Sequence, residues 1–307
     1  MRVIWSALMV SAVLLSGVCF AADEGSGSSW QSQLGSPPSG NGQPPSKANG
    51  EALADLARAQ DLHAQPGKER EALALAKPLI ATFDASGDND HLVDALFITG
   101  DCEYMLGAWA DAESYMTRAA DLGFKYFADT MSTYPLKVVG ESQFEQKKYD
   151  EALATFTRRV DMLKKNDDEH ALAGALFDQA GALLNLSREE EALALLAEAE
   201  KANNARAGEL SKAGSGATPD EREGNVIDHA EIVYHMAIAN YRLERYAATL
   251  PLLKQAYSFF KSLSPAELKD TQDRLVAVLD DLVLVSEKLG NTADAGKYRS
   301  ERDSLNK

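Results

Sequence analysis

Four short stretches of this chain recur at one constant interval, the distance from Glu71 to Asp111. A recurrence of this length marks supersecondary units that cannot bury their apolar faces alone, so they stack on one another. A stack of this kind presents extended surfaces to partners. The four stretches are Glu71-Ala-Leu-Ala-Leu-Ala76, Asp111-Ala-Glu-Ser-Tyr-Met116, Glu151-Ala-Leu-Ala-Thr-Phe156 and Glu191-Ala-Leu-Ala-Leu-Leu196.

The register predicts six helix-turn-helix units. Aromatic residues make up only 7% of the chain, and abundant Ala, Leu and Glu favour helix. A small residue recurs in the second helix of most units, at Ala72, Ala112, Ala152, Ala192, Thr249 and Ala295. Twelve positions earlier, in the first helix, stand Gln60, Gly100, Gly140, Ala180, Ala237 and Val283. The turn positions are Gly67, Gly107, Lys147, Ser187, Glu244 and Gly290.

Other residues predict where helices begin and end. Ser187-Arg-Glu-Glu190, Thr218-Pro-Asp-Glu221 and Ser264-Pro-Ala-Glu267 each have the composition of a capping box, which starts a helix. Pro78 lies inside a predicted second helix and is expected to bend or end it.

The pattern resembles the tetratricopeptide repeat family. It is best kept in Leu96, Gly100, Gly107, Trp109, Ala112, Met116 and Ala119. The interval exceeds the family's usual period of about 34 residues, so the chain is identified as a long-period variant. The resemblance implies an all-α, right-handed α-solenoid of about six repeats over residues 50–307. The interval from the fourth to the fifth unit is longer, which predicts a loop insertion at 203–223.

The N-terminal residues have a different composition. Arg2, an apolar charge-free run and the small-residue end Cys19-Phe20-Ala21 predict a signal peptide over residues 1–21. An uncleaved anchor or a lipidated Cys19 are the alternatives, and membrane contact is expected only in those two cases. Residues 22–49 are rich in Ser, Gly and Pro and predict a disordered tether. The sequence therefore predicts export, with the bacterial periplasm as the expected location.

Composition and motifs argue against several functions. With 31 basic and 47 acidic residues, the chain lacks the clustered Lys and Arg that nucleic-acid binding requires. No phosphate loop, metal-ligand spacing or nucleophile motif is present, so we expect no cofactor, no metal site and no enzymatic activity. Cys102 lies in a helical stretch without nearby basic residues, which predicts a buried, unreactive side chain.

The resemblance implies that first helices line a groove that binds a protein or peptide. Residues at the matching positions, several of them seven apart on one helix face, are Phe97, Asp101, Tyr104, Tyr134, Lys137, Glu141, Phe144, Phe177, Asn185, Tyr234, Tyr241 and Arg242. The same aromatic spacing is also typical of helix cores. The family's Lys and Asn clamp on a terminal carboxylate is not reproduced, because acidic or aromatic residues such as Asp94 and Phe97 stand there.

The leading hypothesis is an exported scaffold or adaptor of the cell envelope. Two alternatives stay open at this stage: a self-associating structural protein, and a non-catalytic subunit of an envelope enzyme or secretion complex. The oligomeric state and the identity of the partner are not determined by the sequence.

Overall fold

The computed structural model describes residues 47–127, 133–166, 171–212 and 214–305. These residues form thirteen α-helices and no strand, which confirms the predicted all-α class. The helices are α1 Lys47–His63, α2 Glu69–Ser86, α3 Asn89–Met105, α4 Trp109–Tyr126, α5 Tyr134–Glu145, α6 Tyr149–Lys165, α7 Leu172–Asn185, α8 Glu189–Leu210, α9 Pro219–Arg242, α10 Tyr246–Ser262, α11 Pro265–Asp270, α12 Gln272–Lys288 and α13 Thr292–Leu305.

The helices pair into the six predicted repeats. Each repeat has a first helix (α1, α3, α5, α7, α9 or α12) and a second helix (α2, α4, α6, α8, α10 or α13), with the short α11 between the last two repeats. In the N-terminal unit each helix from α1 to α5 packs on the next, and the first helices α1 and α3, and α3 and α5, also pack together. In the C-terminal unit each helix from α7 to α10 packs on the next, α10 packs on α12, α12 packs on α13, and the first helices α7 and α9 pack together. This packing is that of an all-α repeat solenoid. Its right-handed sense stays a prediction.

Two compact units divide the chain between Met162 and Leu163, inside α6. The core of the N-terminal unit contains Leu56, Phe83 and Leu96 from α1, α2 and α3. The core of the C-terminal unit contains side chains from α9, α10 and α12, with Phe260 fully buried among them. In each unit, burial of this apolar surface against neighbouring helices stabilises the repeats.

The turns inside the repeats share one backbone conformation. All six predicted turn positions have a positive φ, including Lys147 at 62°, Ser187 at 57° and Glu244 at 57°. At Ser187 the amide donates to the Leu184 carbonyl at 3.2 Å, and the next amide, of Arg188, donates to the Leu183 carbonyl at 2.9 Å. This is the Schellman arrangement that ends a helix.

One of the three predicted capping boxes is wrong. Ser187 ends α7 in the left-handed conformation and does not cap α8, which begins at Glu189. The Thr218 box is confirmed, because its side chain accepts from the Glu221 amide and the Glu221 side chain accepts in return. The Ser264 side chain also accepts, from the Glu267 amide at 3.3 Å.

The predicted loop at 203–223 is largely helical. Helix α8 continues to Leu210 and α9 begins at Pro219. The added turns are joined by a buried amide pair, because Asn225 Nδ2 donates to Asn203 Oδ1 at 2.7 Å. Asn203 Nδ2 also donates to the carbonyl of Asn225 at 3.2 Å. Extra length in this repeat is therefore taken up mainly by longer helices.

Pro78 does not end its helix, because α2 continues through it to Ser86. The predicted signal peptide at 1–21 lies outside the described residues, as does most of the predicted tether at 22–49. Helix α1 already begins at Lys47, within the last residues assigned to the tether.

Cys102 is fully buried, as predicted. Burial, together with the nearby carboxylate of Asp101, raises the pKa of the Cys102 thiol to about 12. Because the thiolate is the reactive form, the folded protein should keep this side chain inert near neutral pH.

We therefore expect Cys102 to resist iodoacetamide at pH 8 in the folded protein and to be alkylated rapidly in urea. Peptide-level mass spectrometry distinguishes Cys102 from Cys19. Alkylation of the native protein at the rate of the unfolded chain would contradict the buried position.

Candidate partner-binding face

Four side chains on α3 and four on α5 occupy equivalent positions, one repeat apart. On each helix they are spaced by three or four residues, which places them on one side. All eight are on the first helices of the second and third repeats. They are Asp94, Phe97, Asp101 and Tyr104 on α3, and Tyr134, Lys137, Glu141 and Phe144 on α5.

Asp101 joins three helices at this surface. Its Oδ2 lies 2.7 Å from Nε2 of His63 on α1. Its Oδ1 accepts a hydrogen bond from the Tyr134 hydroxyl of α5, also at 2.7 Å. Asp101 is only 6% exposed, so these contacts hold a buried carboxylate by hydrogen bonds from both sides.

Aromatic rings continue the same surface. Phe97 lies between its neighbours, with ring centroids 6.2 Å from His63 and 5.6 Å from Tyr134. Nζ of Lys137 lies 5.8 Å from the centroid of the Tyr134 ring. His63, Phe97, Tyr134, Lys137 and Glu141 are all partly exposed. We call the surface formed by these five residues and Asp101 the N-terminal face.

Tyr104 and Phe144 have a structural role that the sequence did not indicate. The Tyr104 ring meets Trp109 at a centroid distance of 5.3 Å, and the Phe144 ring meets Tyr149 at 5.2 Å. Both pairs are edge-to-face and join the end of a first helix to the start of its second helix. Each pair therefore closes the turn of its repeat.

In the C-terminal unit, Tyr241 repeats this arrangement. Its ring meets Tyr246 at 5.4 Å, again edge-to-face across a turn. Asn185 donates from Nδ2 to the carbonyl of Gly181 at 2.9 Å, within α7. Arg242 reaches from α9 to α7, where it donates to the carbonyl of Leu184 at 2.5 Å.

Phe177 and Tyr234 are packed inside the C-terminal unit. They are 4% and 5% exposed. Phe177 packs edge-on against His235 at a centroid distance of 4.6 Å, and the Tyr234 hydroxyl donates to Asp281 Oδ2 at 2.7 Å. These two rings therefore serve the interior of the unit, and the N-terminal face is where partly exposed candidates come together.

Two buried polar groups near Tyr234 were not indicated by the sequence. Burial raises the pKa of Asp281 to about 7, and Oδ1 of this carboxyl has no hydrogen-bond partner among the described residues. Burial lowers the pKa of His235 to about 4, so its ring is neutral at pH 7. Nδ1 of His235 lies 2.8 Å from the Glu231 carbonyl, which can only accept, so the proton is on Nδ1. In the sequence, Asp281 and His235 look like ordinary polar residues within helices, and their burial becomes visible only in the fold.

Metal-binding clusters and membrane-spanning helices are both absent from the described ranges. Those ranges include no group of three or more His, Cys, Asp or Glu side chains that could hold a metal ion. Every helix in them is too short or too polar to cross a membrane.

No family model and no curated protein matches this sequence. Solved structures match its fold. BtubC from P. vanneervenii matches with a TM-score of 0.57 and 13% identity, over 83% of this chain and 91% of that one. Aspartyl phosphate phosphatase F from Bacillus subtilis matches with a TM-score of 0.54 and 14% identity, over 84% of this chain and 60% of the phosphatase. NprR in complex with its cognate peptide NprX matches with a TM-score of 0.52 and 10% identity, over 82% of this chain and 66% of NprR.

At these identities the matches show a shared fold. Together with the six helix pairs and their turns, they show that the chain has a tetratricopeptide-like helical repeat fold. The resemblance inferred from the sequence is therefore confirmed at the level of the fold.

Proposed function

We propose that this protein is an exported, non-catalytic scaffold that binds a protein or peptide partner on its N-terminal face. The observation that carries the proposal is the connected, partly exposed surface of His63, Phe97 and Tyr134 around Asp101. These side chains come from three different repeats.

The chemistry of this face suits binding. Aromatic rings held by neighbours offer large contact areas at a small loss of side-chain entropy, and such residues often dominate binding energy at interfaces. The hydrogen bonds from His63 and Tyr134 to Asp101 fix the rings before a partner arrives. A face organised in advance binds with less loss of conformational freedom. NprR, which shares this fold and was solved with its cognate peptide, supports a peptide or protein as the partner.

The proposed location is the bacterial cell envelope, with the periplasm as the expected compartment. This part of the proposal rests on the apolar segment and small-residue end at residues 1–21. Phosphatase F shares the fold and carries an enzyme's name, so our proposal of a non-catalytic role rests on this chain's own residues. On the N-terminal face the carboxylate of Asp101 is occupied by two structural hydrogen bonds, and the adjacent Cys102 thiol is buried.

Partner recovery from an envelope fraction tests the proposal. We expect the full chain with a C-terminal tag to recover a partner, and the double substitution Phe97→Ala and Tyr134→Ala to reduce recovery about tenfold or more, because interface aromatics commonly contribute roughly 1 kcal/mol or more each. Tyr126→Ala is the matched control, since Tyr126 is a 46% exposed aromatic at the end of α4.

Circular dichroism and the thermal midpoint establish that each variant is folded. Undiminished recovery by a folded double variant would refute the assignment of the N-terminal face. Equal losses in the double variant and in Tyr126→Ala would refute it as well.

A further inference from the structure

Carboxylates recur at one position of the first three repeats. Asp61, Asp101 and Glu141 are each one repeat apart, and each follows the position where a first helix crosses its second helix. The first helices that carry them, α1, α3 and α5, contact one another in order. Asp61 is exposed and Glu141 partly exposed, whereas Asp101 between them is buried and holds His63 and Tyr134.

Two further acidic groups lie on α3 and α5, the helices that carry Asp101 and Glu141. Burial and the neighbouring Asp90 and Asp88 raise the pKa of Asp94 to about 8. Burial and the neighbouring Glu141 raise the pKa of Glu145 above its usual value. At a pKa of about 8 the Asp94 carboxyl is mostly protonated near pH 7, so it adds little negative charge to the row.

Positive charge is scarce on α3 and α5, and on α1 Arg58 is paired with Asp55. Lys137 is the single Lys or Arg in the sequences of α3 and α5. Its ammonium lies over the Tyr134 ring, at 5.8 Å from the centroid. Lys137 and Tyr134 therefore form a cation–π contact within the face itself. The rings and carboxylates together offer complementary contacts to further cations.

We propose that the N-terminal face, extended by Asp61 on α1, binds an extended segment of a partner that carries Lys or Arg at every third residue. This inference rests on the proposed function and specifies the partner's chemistry. Packed helices lie about 8–10 Å apart. A partner segment in the extended polyproline II conformation advances about 3.1 Å per residue with about three residues per turn, so side chains three residues apart face the same way and can meet successive first helices. The outer cations then meet Asp61 and Glu141, and the cation between them lies over the Phe97 and Tyr134 rings, because Asp101 beneath these rings is buried.

Isothermal titration calorimetry with synthetic peptides tests the inference on the full chain. The probe is a Gly/Ser peptide with Lys at every third residue. Its two comparisons are a peptide of the same composition with contiguous lysines, and one with Glu in place of each Lys. We expect the spaced Lys peptide to bind most tightly, the contiguous peptide more weakly and the Glu peptide not measurably. Added salt should weaken binding.

Matched charge changes locate the site. Asp61→Asn combined with Glu141→Gln should weaken binding of the spaced Lys peptide about tenfold, because two opposing charges are removed. The control combines Asp111→Asn with Glu151→Gln, which removes two exposed carboxylates from the second helices α4 and α6 and should change the affinity less than about twofold. We leave Asp101 unchanged because it holds His63 and Tyr134 in place.

Equal losses in the two double variants would overturn the inference, as would equal binding of the three peptides or no binding of the spaced Lys peptide. If partner recovery still depends on Phe97 and Tyr134 in that case, the proposed function stands and only the cationic chemistry is wrong. If recovery is insensitive to the two rings, the proposed function itself fails.

Discussion

Gly140→Ala should lower the free energy of unfolding of the N-terminal unit by about 1–3 kcal/mol, the usual range for adding volume to a packed core. A Cβ atom at Gly140 would lie only 2.3 Å from Cε1 of Phe156 and 2.6 Å from its Cδ1. Phe156 is 2% exposed, so its ring has little room to move away. The absence of a side chain at Gly140 is what lets α5 and α6 approach so closely.

Gly181→Ala is the matched control and should have the opposite sign. Gly181 also lies inside a first helix, α7, yet a Cβ atom there would meet no atom within 4 Å beyond its chain neighbours and the backbone of its own helix. Alanine is favoured over glycine in a helix by about 0.5–1 kcal/mol, so this variant should be more stable than the parent. Urea unfolding followed by circular dichroism measures both. If both variants changed the free energy of unfolding in the same direction, that result would contradict the close crossing at Gly140.

Asp281→Asn should stabilise the protein at pH 8 by an amount on the order of 2–4 kcal/mol. Asp281 is 1% exposed, its Oδ2 accepts from Tyr234, and its Oδ1 has no partner among the described residues. Ionising such a group in the interior is unfavourable. Asparagine has nearly the same shape, keeps an acceptor for Tyr234 and carries no charge, although its NH2 group lies where the described residues offer no acceptor, which offsets part of the gain.

The pH dependence follows from the raised pKa. Burial raises the pKa of Asp281 to about 7, whereas an unfolded aspartate has a pKa of about 3.9. Between these values the folded state binds more protons, so stability is full below about pH 4 and falls as pH rises through 7. Asp94, with its pKa raised to about 8, adds to the same trend.

Thermal midpoints from pH 4 to pH 8 test this prediction. The parent midpoint should fall as pH rises, and Asp281→Asn should fall less. Asp84→Asn is the control, because Asp84 is exposed, is paired with Arg118 and lies in the N-terminal unit, so its loss should destabilise the protein only slightly. Parallel curves for the parent and Asp281→Asn would contradict the unfavourable ionisation of Asp281.

Much of the fold could be predicted from the spacing of small residues. The register placed turns at Lys147, Ser187 and Glu244 although none of them is glycine, and each has a positive φ. Spacing predicted these turns correctly because, in every repeat, the second helix packs on the first at the same position, so the turn between them falls at the same place whatever residue stands there. Local motifs were less reliable, as the wrong capping box at Ser187 shows. The composition typical of a helix start stood where the repeat required a helix end.

The candidate site could be predicted only in part. Seven-residue spacing places Phe177 and Tyr234 each on a helix face, but it does not report which neighbour covers that face. His235 and Asp281 supply those contacts, and both lie on later helices, far along the chain from the rings they meet. The insertion at 203–223 was misassigned for a similar reason, since the amide pair that supports the added helical turns joins Asn203 on α8 to Asn225 on α9. Contacts between distant positions determine both outcomes.

Site-specific photocrosslinking is the most direct test of the central claim, that the N-terminal face contacts a partner. A photoreactive phenylalanine derivative replaces Phe97 in one variant and Tyr126 in another, in the full chain within the native envelope. We predict a covalent adduct with a partner from position 97, at a partner segment containing Lys or Arg, and none from position 126. An adduct from position 126 alone, with none from position 97, would contradict the claim.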